Sequence, residues 1–261
     1  MIDAQTLLRT YDQQLRTDAE SQNALSVTHL GPLLLVTFDG GQGFVTYAHP
    51  DDAEATQILH LVPRALDYYR QNPTVTQVEW KTRDHDGILG LHQVLVENGF
   101  RPDDSESIMI GEAKMLDVNV QLPVGVTLRC VTDEADVRRM TAMESLVFGR
   151  PLDDMADALL RRLACKDGMQ LWVAEAEGQI VSAGRLEPVA GTNFAGIWGG
   201  STLEAWRSRG IYRALTATRS RSALELGKTL IYSDSTEYSR PILQRSGLIK
   251  VSTTTPYRWY R

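Results

Sequence analysis

Cysteine is scarce in this 261-residue chain: Cys130 and Cys165 are the only two. Two thiols make no disulfide framework at this length, so a reducing compartment, the cytoplasm, is expected. Neither thiol has a histidine or a second cysteine at ligand spacing, which argues against a structural zinc site. Long apolar runs are missing too. The longest, such as Leu33–Val36, has four residues, whereas a membrane span takes roughly 18 or more. The opening MIDAQTLLRTYDQQLR mixes acids and bases along a helical stripe and lacks the apolar core of a signal peptide. Neither the P-loop signature nor G-x-G-x-x-G occurs, so a Walker-type or dinucleotide-binding turn is not expected.

What is present fits an ordinary globular chain. Hydrophobic residues make up 43% and charged residues 23%, a balance that excludes intrinsic disorder. The length suits one large or two small domains. The net charge of −6 hides an asymmetry. Residues 1–118 hold 8 Lys/Arg against 18 Asp/Glu, and residues 119–261 hold 19 against 15. Such a shift points to two units with different partners. The segment 116–125, LDVNVQLPVG, reads as a linker, giving expected domains at 1–118 and 123–261. The acidic whole argues against nucleic acid as ligand, while the basic half suits a small polyanion.

Periodicity predicts a helix over 4–17, then strands at 33–38 and 43–47 joined by Asp39-Gly40-Gly41. Asp51 or Asp52 caps a helix toward Arg70, which Pro63 should kink or split. A strand at 76–80, a helix at 88–98 closed by Gly99 and a strand at 107–112 complete the first half. The second half reads as a strand at 126–130, a helix capped by Thr132, and a helix at 155–164. Strands follow at 170–176, 180–186 and 194–203, then a helix at 211–226, a strand at 230–234, a short helix at 239–245 and a strand at 248–255. This order is α/β with a mixed sheet.

The most informative stretch runs from Trp206 to Leu215. It joins a strand to a strong helix, where the first backbone N–H groups lack intrahelical partners and carry the positive end of the dipole. Gly210 permits a close backbone approach. Between Arg207 and Arg221 there are five arginines (207, 209, 213, 219 and 221) and no acid. Helix-start donors with clustered arginine suit a multiply phosphorylated ligand. A merely solvated basic helix start is the competing reading.

A strand followed by R-x-x-G-x-G/A and a helix resembles the acetyl-CoA signature of the GNAT superfamily of N-acetyltransferases, with Arg207, Gly210 and Tyr212 on its marked positions. The element order across 125–261 looks like a whole GNAT domain. The resemblance implies acetyl-CoA as co-substrate, with no metal, and direct attack of an amine on the thioester. It places the acyl-CoA on Thr202, Leu203, Arg207, Ser208, Arg209, Gly210, Ile211, Tyr212, Arg213, Thr236 and Ser239. Two departures stand out. Tyr212 replaces a small residue, and Leu243 stands four before Gly247, where many members carry an acidic tyrosine. The first half looks like a degenerate copy, so two GNAT-like folds in tandem are expected. The place of its cradle is taken by Asp51-Asp52-Ala53-Glu54, which would repel a pyrophosphate.

Members often carry a carboxylate base eleven residues before the motif arginine; here that residue is Gly196. The candidate catalytic residues are therefore Glu237 first and Asp234 second as base, with Tyr238 as an acid. Tyr257 is a weaker candidate, and each of these also reads as a loop, capping or packing residue. Trp198 is expected in the core. Asp84-His85-Asp86 looks like a metal triplet but reads better as a polar loop, and His29, His49, His60 and His92 form no spaced cluster. The expected partner is a small-molecule or peptide amine, without nucleic acid or membrane, and a homodimer stays open. The rival is a non-catalytic acyl-CoA-binding or regulatory module that lost its acid and base.

Overall fold

A computed structural model describes residues 2–261, the side chain of Asp153 excepted. In chain order the elements are α1 (Ala4–Gln14), β1 (Ser26–Leu30), β2 (Leu33–Phe38), β3 (Gln42–Tyr47), α2 (Asp52–Arg70), β4 (Gln77–Arg83), α3 (Leu91–Glu97), β5 (Arg101–Pro102) and β6 (Glu106–Glu112). They continue with α4 (Ala113–Leu116), β7 (Val126–Val131), α5 (Glu134–Phe148), α6 (Asp153–Ala164), β8 (Gln170–Ala176), β9 (Gln179–Pro188) and β10 (Phe194–Thr202). The last are α7 (Ile211–Glu225), β11 (Leu230–Ser235), α8 (Arg240–Arg245) and β12 (Ile249–Tyr260). The fold is α/β with mixed sheets.

Two compact units form, and they do not follow the division at 118/123. The first comprises Ile2–Met109, Asp234–Arg240 and Lys250–Arg261; the second comprises Ile110–Ser233 and Pro241–Ile249. The reason is β12. Its residues Thr254 to Tyr260 pair antiparallel with Arg83 to Gln77 of β4, so a strand made late in the chain completes the sheet of the first unit.

In the first unit, β1, β2 and β3 are antiparallel neighbours and β3 then runs parallel to β4. Alternate residues (Leu33, Leu35, Val45, Tyr47, Val78, Trp80) pack against Ile58, Val62, Leu66 and Tyr69 of α2 and Leu91 and Leu95 of α3. This is the period-2 face of a sheet meeting the apolar stripe of a helix. Pro63 does not split α2. It sits on the exposed face of the helix, where its ring displaces no core packing.

In the second unit, β7, β8, β9 and β10 are successive antiparallel neighbours and β10 runs parallel to β11. Helices cover both faces. Leu171 and Val173 face Val137, Met140 and Leu159 of α5 and α6, while Ala174 and Ala176 face Ile211 and Leu215 of α7. The cap of α5 is Asp133, whose side chain accepts from the Asp136 N–H, rather than Thr132. Asp133 wins because a carboxylate adds charge to the capping bond at the dipole's positive end.

Candidate functional site

The centre of the second unit is an opening in its sheet. β10 pairs with β11 at Phe194/Leu230, Ala195/Ile231 and Gly196/Tyr232, and the pairing stops there although β10 continues to Thr202. On its other edge, β10 loses register with β9 between Trp198 and Ser201. Gly199 lies inside that break in the left-handed region, at φ 62°, a conformation suited to glycine. The bulge frees backbone groups that a regular ladder would consume, at the point where the two parallel strands part.

Glycines on β10 make room for aromatic rings. A Cβ at Gly196 would collide with the Trp198 indole. Trp198 is half-buried rather than core, and its ring meets Tyr232 edge-on at 5.3 Å between centroids, at the last parallel pair. Position 196 therefore has no space for a carboxylate. Gly200 accommodates Tyr212 in the same way: a Cβ there would lie 2.6 Å from Tyr212 Cε2. The large residue in the motif is thus matched by a missing side chain on the preceding strand. Gly200→Ala is expected to lower stability by about 1–3 kcal/mol through overpacking, as read by urea unfolding.

The loop into α7 is shaped as a cradle. Ser208 adopts φ 62° and Gly210 φ 80°, and α7 starts without any side-chain cap at Gly210. A non-glycine residue in the left-handed region costs energy and persists only where its surroundings impose it. The first helical bond runs from Ala214 N–H to Gly210 O at 2.9 Å. Helix geometry therefore leaves the N–H groups of Ile211, Tyr212 and Arg213 without intrahelical acceptors. A Cβ at Gly210 would make ordinary contact with Val120 Cγ1 at 3.6 Å and the Gln121 carbonyl at 3.8 Å, so the left-handed backbone rather than crowding is what favours glycine there. Arg207 donates to the Thr202 carbonyl at 3.1 Å and ties the loop to β10, and the Arg209 guanidinium stacks over Trp206 at 4.9 Å.

The five arginines do not act as one cluster. Arg219 is buried inside the unit, where it donates to the carbonyls of Leu215 and Arg185, and Arg221 is paired with Asp117 at 2.6 Å. Arg207, Arg209 and Arg213 are exposed at the helix start. The contrast with α2 is chemical. There Asp51 accepts from the Glu54 N–H and Glu54 accepts from the Asp51 N–H, a capping box that occupies the donors a phosphate would use.

Of the expected site residues, Thr202, Leu203 and 207–213 come together on β10, the loop and α7. Asp234, Thr236, Glu237, Tyr238 and Ser239 belong to the first unit. Asp234 is buried and accepts from Lys81 Nζ at 2.6 Å, whereas Glu237 and Tyr238 are exposed. Thr236 and Ser239 hydroxyls lie 3.4 Å apart. Leu243 is fully buried. Tyr257 hydrogen-bonds His92 at 2.6 Å as a packing residue of the first unit.

One polar residue was missed. Glu144 stands on the core stripe of α5 with Val137, Met140 and Thr141 and is 1% exposed. Burial pushes its carboxyl up to about 7, against the opposing pull of Arg185. The signal was there to find: an acid at i+7 from Val137 and i+4 from Met140 falls on the buried face.

In the first unit Asp12, His49 and His85 offer ligand atoms within 4.8 Å of one another. His49 and His85 stack at 5.7 Å, a meeting that the spacing of the histidines did not foretell. Arg16 Nη1 reaches Asp86 at 2.6 Å, Asp12 at 3.2 Å and His85 Nε2 at 3.2 Å. Arg16 thus sets a guanidinium directly beside two of the three groups.

Comparison with known proteins places the fold. A GCN5-related N-acetyltransferase from Kribbella flavida superposes with a TM-score of 0.64 at 18% identity, over 98% of this chain and 93% of that one. One from Sphaerobacter thermophilus gives 0.64 at 18%, over 99% and 85%. The fold is that of the GNAT acetyltransferases. A tandem GNAT protein from the clavulanic acid biosynthesis pathway also matches the GNAT fold seen here, with a TM-score of 0.61 at 13% identity over 87% of this chain and 78% of that one. No family model and no curated protein matches the sequence. Among the described residues, no helix is long and apolar enough to cross a membrane.

Proposed function

We propose that the second unit transfers an acetyl group from acetyl-CoA to an amine. The observation that carries this reading is the sequence of a strand pair that parts after Gly196/Tyr232, a bulge at Gly199 and an uncapped helix start at Gly210. The N–H groups of Ile211, Tyr212 and Arg213 would hold the diphosphate, with the Arg213 and Arg209 guanidiniums adding charge. Backbone N–H freed at the bulge would polarise the thioester carbonyl as it gains negative charge. The amine attacks directly and the thiolate leaves. A thiolate whose thiol has a pKa of about 8.5 is basic enough to pick up a proton afterwards but weak enough to leave without one, so a leucine at position 243 is tolerable.

We further read the first unit as a degenerate copy of the second. Both present antiparallel strands, then a helix, then a strand parallel to the last one. The capping box of α2 and its acids leave no anion site there. The acceptor is an amine on a small molecule or peptide, and the acidic first half would favour a cationic one.

Calorimetric titration with acetyl-CoA, followed by thiol release with a panel of amines, tests the reading. One molecule should bind per chain, and Gly210→Val should weaken binding by at least about tenfold by forcing a β-branched residue to φ 80° at the cradle. Unchanged affinity in Gly210→Val would remove the cradle from the reading. Binding without thiol release would identify a binding module, and a second bound molecule would end the degenerate-copy assignment.

A further inference from the structure

β10 lacks a carboxylate of its own, because Trp198 fills the space beside Gly196. It meets one from α5 instead. Glu144 Oε1 is buried without a hydrogen-bond partner. It lies 3.1 Å from the point a Cβ at Gly199 would occupy, and Arg185 Nη1 lies 3.1 Å from the same point. Arg185 on β9 is the charged side chain acting on Glu144, but its Nε turns to Glu187 at 3.3 Å, and Glu187 accepts from Arg162 at 2.5 Å. Burying a carboxylate without a partner is unfavourable, and an apolar residue on this helical stripe would pack without that penalty. An acid kept there at a stability cost, facing the bulge, is explained by chemistry rather than by folding.

Resting on the acetyltransferase reading above, we propose that Glu144 is the base of the reaction, taking the proton of the acceptor ammonium at the Gly199 bulge. The ammonium gives one proton to the Glu144 carboxylate. The freed lone pair then forms the N–C bond and the C–S pair leaves on sulfur. The second proton of the new N–C group passes to the thiolate, and Glu144 later returns its own to solvent. A carboxyl with a pKa near 7 is matched to this task. Gly199 has no side chain, so nothing on the strand stands between Oε1 and the bulge.

Glu144→Gln is close in shape and tests the role with acetyl-CoA and two probes: a primary alkylamine, protonated at pH 7, and aniline, neutral at pH 7. The variant should bind acetyl-CoA as the wild type does and lose about 10²–10⁴-fold in kcat/KM on the alkylamine. It should lose far less on aniline, and the alkylamine rate should recover as pH rises toward the amine's own pKa. An unchanged pH profile, or equal losses on both amines, would overturn the proposal while leaving the acetyltransferase reading intact. A loss in Glu237→Gln with none in Glu144→Gln would move the base to the loop after β11 and overturn it likewise. Failure of the wild type to bind acetyl-CoA would overturn the parent reading, and binding without transfer to either amine would overturn the base assignment.

Discussion

Lys81→Met should destabilise the first unit by about 3–5 kcal/mol, because it removes the ammonium from a buried ion pair. Lys81 Nζ and Asp234 Oδ2 are 2.6 Å apart with side chains 16% and 8% exposed. Burial pulls the Lys81 pKa down; the Asp234 carboxylate more than offsets this and holds the ammonium well above its ordinary range. Glu106 stands close by, and burial followed by the Asp234 charge pushes its carboxyl up to about 7. Without Lys81, Glu106 would keep the Asp234 charge beside it and lose the stronger of the two cations that offset it. Urea unfolding at pH 7 measures the loss, and Lys81→Met with Asp234→Asn should recover most of it. A single-variant cost below about 1 kcal/mol would mean that the pair is screened like a surface ion pair.

Raising the pH from 4.5 to 7 should cost the wild type about 3 kcal/mol of stability relative to Glu144→Gln, which lacks the titrating group. The folded-state value of about 7 lies above the ordinary 4.5, so the folded protein holds more protons than the unfolded chain across this window. Stability from this group is complete below the unfolded value and disappears as pH rises through the folded one. Glu106 contributes with the same sign. Asp136, held down to about 2 chiefly by the Arg129 hydrogen bond, acts in the opposite direction and below this window. Denaturant titrations at pH 4.5, 6 and 7.5 for both proteins check the expectation. A difference that stays constant with pH would mean that Glu144 titrates as an exposed acid.

Much of the second unit was legible in its sequence, since the alternation in Leu171–Ala176 and the stripe of α7 report directly which faces are buried. The Gly210 helix start was legible for a related reason, as helix termini are written in local chemistry. Positions set by distant partners were not. β1 reads as a polar segment because it is an exposed strand, and SVTHL has no face to alternate. Arg219 looked like a surface arginine among five, yet its target is the Arg185 carbonyl, thirty-four residues away. Asp12, His49 and His85 meet only because α1, the end of β3 and the turn after β4 converge. Glu144 could have been found by asking which acids fall on apolar stripes. Its proximity to Gly199 needed the strand itself.

The pairing of β12 with β4 has a consequence for how the chain is made. The Thr82 hydroxyl donates to the Thr255 carbonyl, 173 residues further on. At about 5–20 residues per second on the ribosome, β4 emerges some ten to thirty seconds before its partner. During that interval the hydrogen-bonding edge of β4 is open to any other strand, and the first unit is one strand short of its sheet. Synthesis order and assembly order therefore run against each other. Nascent chains held before residue 249 should recruit chaperones at this edge, and release of the last strand should end that dependence in one step.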